Sequence, residues 1–216
     1  KKKIRKIKRE NPEAKIIVTG CSAQINPKDY KKMKEVDLIL GNEEKFKFKK
    51  YLNLLNNNSP AIVVNNIMSV KETANHFIKG FDKKARAFVQ IQTGCDHRCT
   101  FCIIPFGRGN SRSVPIAKIY NQIKILLENG FKEIVLTGVD LTSYGNDLYG
   151  KPKLGKLIKE IFKKIKNLER LRLSSLDAIE IDKDLIDIIS HEERLMPHLH
   201  LSIQSGDNII LKRMKR

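Results

Sequence analysis

Beyond residue 85 the apolar positions alternate between two periods. "RAFVQIQ" (86–92) repeats every second residue and predicts a strand. Ser113 and Pro115 open a helix whose apolar positions, Ile116, Ile119, Ile123, Leu126 and Leu127, recur at helical spacing until Gly130 closes it. "EIVLT" (133–137) predicts the next strand and "LGKLIKEIFKKI" (154–165) the next helix. "RLRLS" (170–174), "DKDLIDIIS" (182–190) and "HLHLSIQ" (198–204) continue as strand, helix and strand. Strict alternation of this kind implies a parallel sheet with right-handed crossovers. Four strands and three helices are too few to close a barrel. The chain stops inside a further helix, "DNIILKRMKR", so the far end reads as cut.

Ahead of residue 80 the pattern is looser. "AKIIVTG" (14–20) is a β-branched run ending in glycine and predicts a buried strand. Asn26 and Pro27 cap and open a helix over "NPKDYKKMKEV", and "VDLILG" predicts a second strand. Residues 1–13 read as the tail of a helix whose own strand is missing. Residues 56–84 are polar and irregular, with short isolated apolar runs. The expected class is α/β: a partial small α/β domain over 1–55, a linker over 56–80, and over 81–216 a partial parallel (β/α) barrel, incomplete at its C-terminus.

Composition narrows the functional classes. Hydrophobic residues are 41% and charged residues 31% of 216, a globular balance rather than a disordered one. No apolar run reaches the ~18 residues of a membrane span, and the basic start "KKKIRKIKRE" lacks the apolar stretch of a secretory leader. A soluble, cytoplasmic protein is expected. The formal charge of +18 favours a polyanionic partner through phosphate contacts. The bland alternative is lysine spent on solvated helix faces, and the seven basic residues among Lys1–Arg9 fit that equally.

Three of the four cysteines crowd into "QTGCDHRCTFC" (92–102). Reduced thiols so arranged more often bind metal than pair as disulfides. Ligands of a parallel sheet collect at the carboxyl ends of its strands, and this loop follows the first strand of the barrel region. The spacing Cys95-x3-Cys99-x2-Cys102 lets one loop wrap three thiolates around a compact soft-metal centre, and a four-iron cluster held so keeps one iron open. Two other readings stand beside it: a zinc site completed by His97, and unligated buried thiols. His97 lies between two cysteines, where its ring is poorly placed to point inward with them, and structural zinc usually takes two separated pairs of ligands.

This spacing, with Phe101 directly before Cys102 and a strand leading in, resembles the radical S-adenosylmethionine enzymes. "QTGCDHRCTFCIIPFGRGNSRSVP" is similar to the methylthiotransferases of that superfamily. "PFGRGNSRS" favours the branch acting on N6-threonylcarbamoyladenosine beside the tRNA anticodon over those for isopentenyladenosine or a ribosomal protein. "IIVTGCSAQ", "EIVLTGVDLTSYG", "RLRLSSLD" and "HLHLSIQSGDNIILKRMKR" extend the likeness over nearly the whole chain.

The resemblance implies that Cys95, Cys99 and Cys102 bind three irons of a [4Fe-4S] cluster and that S-adenosyl-L-methionine chelates the fourth. An electron from a flavodoxin-type donor would then cleave a carbon–sulfur bond to give a 5′-deoxyadenosyl radical. Phe101 would lie against the adenine, and Gly138 and Asp140 of "TGVD" would hold the methionine amino group, an ordinary strand-to-loop turn being the alternative. Ser174, Ser175 and Gln204, at strand ends, would face the same cofactor, although such residues also commonly just cap backbone. Cys21 would serve a second [4Fe-4S] cluster only if two further cysteines exist in a longer chain; otherwise it is a small apolar side chain. Arg98, Arg108 and Arg112 would meet tRNA phosphates, with "FGRGNSR" expected to be flexible enough for a splayed anticodon loop; surface solvation is their alternative role. The expected function is tRNA methylthiolation, with catalytic side chains unassigned. The alternatives are a basic, metal-binding RNA-binding module, an inactive fragment, or a methylthiotransferase of another branch.

Overall fold

The computed structural model describes residues 1–56, 59–71 and 85–216. The chain forms two compact units, one of residues 1–70 and 102–110, the other of residues 71–101 and 111–216. In the first unit, α1 (Lys2–Glu10) leads into β1 (Ile17–Val18), α2 (Cys21–Ile25), α3 (Pro27–Lys31) and β2 (Leu38–Leu40). A 3-10 stretch (Glu44–Asn56), β3 (Ala61–Val63) and a 3-10 turn (Ile67–Ser69) follow. The sheet order is β1-β2-β3, all parallel. Central β2 is buried at every position, which is why "VDLILG" shows no alternation. Pro27 opens α3 as expected, because its missing N–H falls where the helix needs none.

Two expectations are corrected in this unit. The linker proposed for 56–80 contains β3, which pairs Leu38–Leu40 with Ala61–Val63. The second edge of a buried strand needs hydrogen-bond partners, and "AIV" supplies them despite its polar flanks. The remainder of that linker from residue 72 on, like residues 57 and 58, lies outside the described residues. Second, "FGRGNSR" is not a free loop. Residues 104–108 form α4 (Ile104–Arg108), packed where only glycine fits. A Cβ on Gly107 would come 2.8 Å from the Cβ of Cys21, and one on Gly109, whose φ is +80°, would come 2.6 Å from the Ile67 carbonyl oxygen. Here glycine allows close approach rather than motion.

The second unit carries the regular alternation. It comprises β4 (Arg86–Gln90), β5 (Gln92–Thr93), β6 (Arg112–Ser113), α5 (Ile116–Glu128), β7 (Glu133–Thr137) and α6 (Leu154–Lys164). β8 (Arg170–Leu173), β9 (Ser175–Leu176), α7 (Lys183–His191), β10 (His200–Leu201) and α8 (Asn208–Met214) complete it. β4, β7 and β8 form a parallel sheet in that order, β9 pairs in parallel with β10, and β5 turns back on β6 in antiparallel fashion. The sheets do not close into a barrel. The predicted fourth strand, 198–204, shortens to His200–Leu201, which is exposed and paired only with β9. Ile119, Ile123 and Leu126 of α5 join Ile134 and Leu136 of β7 and Leu157, Ile158 and Ile161 of α6 in one core. Asp182 fastens α7 to α6: its Oδ1 accepts from the N–H of Leu185 at 3.0 Å and its Oδ2 from that of Gly155 at 3.1 Å.

At the amino end of the parallel sheet, Glu133 is the anionic hub for three arginines on neighbouring strands. Arg172 Nε donates to its Oε1 at 2.8 Å, and the Nε atoms of Arg86 and Arg170 lie 3.6 Å from its carboxylate. The Arg172 hydrogen bond, helped by the other guanidiniums, holds this carboxyl below its ordinary range. A carboxyl depressed on folding stabilises above its unfolded pKa, and that contribution is lost as pH falls through the folded value. Melting temperature will therefore fall as pH drops below the ordinary carboxylate range of ~4.3. Glu133→Gln will lower stability by about 1.5–3 kcal/mol at neutral pH and flatten that acid limb, as thermal melts across pH will show.

Candidate active site

The loop after β5 carries Cys95, Cys99 and Cys102 with no helix or strand between Gly94 and Ile103. None of the four cysteines is in a disulfide; Cys99 is buried, and Cys21, Cys95 and Cys102 are half-buried. In the second unit, the Cys95 thiol donates to Asp140 Oδ2 at 3.6 Å. Arg216 Nη1 approaches Cys99 Sγ at 3.9 Å, and the same guanidinium pairs with the buried carboxylate of Asp177. Thr100 N–H donates to the Met214 carbonyl at 3.0 Å, tying the loop to the end of α8. Cys102 belongs with residues 102–110 to the first unit.

What holds this loop is a residue that the sequence pattern hides. Gln92 reads as one more strand position, yet its side chain is fully buried. Its Oε1 accepts from the backbone N–H groups of Val139 and Asp140, both at 2.9 Å. Its Nε2 donates to the Gly94 carbonyl at 2.8 Å and to Ser111 Oγ at 2.9 Å. One amide thus satisfies both the start of the cysteine loop and the turn after β7. The sequence carries no signal for this: in the alternation of 86–92 the apolar phase is Ala87, Val89 and Ile91, so Gln92 falls on the polar, outward phase, and its burial breaks that alternation. Gly138 lies against it: a Cβ there would come 3.0 Å from Gln92 Oε1.

Asp140 is nearly buried, with 8% of its side chain exposed, and faces His97, whose Nε2 is 3.5 Å away. His97 Nε2 is closer to Glu180 Oε1, at 2.9 Å. Both carboxylates meet its ring through the same nitrogen, Nε2. His97, Asp177 and Glu180 bring one ligand atom each within 4.8 Å of one another, but Asp177 is already neutralised by Arg216. Two buried oxygens nearby in sequence, Ser174 Oγ and Glu180 Oε2, have no hydrogen-bond partner among the described residues. An orphaned buried hydroxyl at the end of β8 is what a polar ligand would satisfy.

The other expected residues disperse. Phe101 is 57% exposed. Gln204 lies beyond β10, exposed, with φ +66°. Ser175 begins β9, where its hydroxyl meets His200 Nδ1 at 3.3 Å. Arg98 is exposed but turns back on the loop, donating from Nη1 to the carbonyls of Cys95 and His97 at 2.9 and 3.0 Å. Arg112 is corrected: it is buried within β6, paired with Thr93, and so is withdrawn from the surface a phosphate would reach. Arg108 ends α4 in the first unit, near Lys45. Burial and that guanidinium push the Lys45 ammonium below its usual range.

Cys21 opens α2 in the first unit. Asn42 Nδ2 lies 3.6 Å from its sulfur and donates to the Gly107 carbonyl at 2.6 Å, and Lys45 Nζ donates to Asn42 Oδ1 at 2.9 Å. Cys21 is thus a half-buried thiol beside polar donors. It is not a core hydrophobe.

The donor set fits an iron–sulfur cluster. Three cysteine thiols, none of them in a disulfide, follow one another in an irregular stretch after the parallel strand β4, with a buried carboxylate against the first of them and a cation beside the second. A parallel β/α sheet bearing such a loop defines a class, and the chain belongs to it: the radical SAM superfamily, whose family model matches residues 89–216. Threonylcarbamoyladenosine tRNA methylthiotransferase MtaB of Rickettsia prowazekii (strain Madrid E) is 57% identical over 99% of this chain and 50% of its own length. The protein of the same name from Aquifex aeolicus (strain VF5) is 44% identical over 97% of this chain and 50% of its own length. The chain spans about half the length of these curated relatives. Among solved structures, the radical S-adenosylmethionine methyltransferase TsrM from Kitasatospora setae, determined with tryptophan substrate and a SAM analog, superposes with TM-score 0.69. At 14% identity, it covers 99% of this chain and 46% of that one, a likeness of fold.

Proposed function

We propose that this chain is the cofactor-binding part of a cytoplasmic tRNA methylthiotransferase of the threonylcarbamoyladenosine branch. The observation that carries the reading is the loop of three cysteines, none in a disulfide, within a sequence so close to the curated methylthiotransferases. Cys95, Cys99 and Cys102 would hold a [4Fe-4S] cluster, and S-adenosyl-L-methionine would occupy the coordination position that three cysteines leave open. The bound pair supplies one-electron cleavage of the sulfonium, the electron coming from a flavodoxin-type donor.

The protein's own residues orient and exclude. Gln92 fixes the loop's entry to the turn at Val139–Asp140. Asp140, nearly buried, offers a carboxylate to an ammonium group; Gly138 allows backbone approach, and Ser174 Oγ is a hydroxyl waiting for a partner. Phe101, exposed on the loop, is available to stack on an adenine, while Gln204 is the weakest member of this set. Arg98 and Arg108 remain the arginines suited to tRNA phosphates. Cys21 would ligate a second cluster only in company with cysteines from a longer chain. No helix among the described residues is long and apolar enough to cross a membrane.

Anaerobic reconstitution with iron and sulfide, followed by strong reductant and S-adenosylmethionine, will release 5′-deoxyadenosine from this chain. A basic RNA-binding module without chemistry yields none. Absence of that product from an iron-loaded sample would overturn the reading.

A further inference from the structure

The first unit contains an open cavity of about 310 Å³ that the cysteine chemistry does not use. Gln24, Val64, Asn65, Asn66, Met68 and Phe106 line it, and no acidic residue does. Its volume is at the small end of ligand pockets, roughly 300–1,000 Å³. Phe106 is 54% exposed, an unusual outlay of aromatic surface on a helix otherwise fixed in place. That fixing is local: Gly107 abuts Cys21, Gly109 abuts the Ile67 carbonyl, and Asn42 Nδ2 holds the Gly107 carbonyl at 2.6 Å.

The opposite wall is equally set. Asn65 donates its N–H to the buried Glu44 Oε1 at 3.2 Å and accepts from Gln24 Nε2 at 2.8 Å through its carbonyl. Its side-chain amide has no hydrogen-bond partner among the described residues. Asn66 Oδ1 accepts from Met68 N–H at 3.1 Å, and its Nδ2 donates to no group among the described residues. An exposed ring held rigid and side-chain amides with spare donors and an acceptor are the two halves of base recognition: a face to stack on and groups to meet an edge.

We propose that this cavity binds one unstacked nucleobase of single-stranded RNA, stacked on Phe106 and read at its edge by the Asn65 and Asn66 amides. The proposal rests on the reading of the chain as part of an RNA-acting protein, and it names where a base is held. The +18 formal charge brings the polyanion to the surface, but charge alone does not select a base. The flat apolar face does.

The chain contains no tryptophan, so Phe106→Trp installs a single fluorescent reporter in the cavity. A short single-stranded RNA of anticodon-loop length will quench that emission saturably, and an abasic ribose-phosphate oligomer of equal length will not. Labelled RNA will bind Phe106→Trp within about threefold of the parent chain, and Phe106→Ala and Phe106→Leu about tenfold more weakly. The side chain is half exposed, so all three variants will melt with the parent. An unmoved tryptophan while anisotropy shows RNA bound, equal affinity of Phe106→Ala and parent, or no RNA binding by the parent each overturns the assignment. The two readings fail separately: a reporter that never responds leaves cofactor cleavage standing, and a chain that cleaves no cofactor can still show the quench.

Discussion

Alanine at Cys99 will abolish the four-iron absorbance of the anaerobically reconstituted chain. Removing even an outer partner of a metal ligand commonly costs about 10–100-fold in affinity, so deleting one of three thiolates will cost more than about 100-fold. Cys99 is the most informative of the three because its thiol is buried, leaving no solvent-borne ligand an easy path to replace it. The Arg216 guanidinium lies 3.9 Å from its sulfur and is left facing a void in the variant. Cys21→Ala is the contrast: it will leave the iron content of this chain unchanged, since Cys21 is the only cysteine before residue 95. Iron and sulfide analysis of both variants, with thermal melts to confirm folding, decides the matter. Tetrahedral zinc in the parent, or unaltered iron in the Cys99 variant, would end the cluster assignment.

Gln92→Leu will produce the largest loss of stability of any polar substitution in the second unit. Leucine matches the shape closely but strands the part-buried N–H groups of Val139 and Asp140, each worth about 1–3 kcal/mol when left unpaired. It also abandons the Gly94 carbonyl and Ser111 Oγ. Together these amount to about 3–5 kcal/mol, read from urea unfolding at constant m-value. Gln92→Glu separates the two ends of the amide. It can still accept from Val139 and Asp140 but can no longer donate to Gly94, and it adds a buried charge. Amide exchange at Val139 and Asp140 will accelerate sharply in the leucine variant and less in the glutamate variant. Equal protection in both would mean that Gln92 fills space and holds nothing.

The elements legible in the sequence are those whose pattern matches their burial. "EIVLT" is β7 residue for residue, because a central parallel strand is buried throughout and its apolar run ends where burial ends. α5 was legible from Pro115 and Gly130, which bracket an amphipathic repeat facing one core. β3 was not, since a short apolar run after Ser59 and Pro60 and before Asn65 carries too little pattern to outweigh its polar surroundings. α4 failed for another reason. Proline and two glycines signal a loop, but here Gly107 and Gly109 let a helix press against backbone that no other residue could approach. The thiols of the site were plain from spacing. Gln92 was not, because its role depends on N–H groups nearly fifty positions away.

The discontinuity of the first unit bears on how the protein is made. Its residues 1–70 emerge from the ribosome before the strands of the second unit, yet the piece that packs against the Ile67 carbonyl and receives the Asn42 amide arrives only with residues 102–110. At roughly 5–20 residues per second, the nascent first 70 residues wait for seconds with Cys21 uncovered. That delay is a window in which a chaperone or an oxidant can reach the thiol, and it closes when the chain has grown past Asn110.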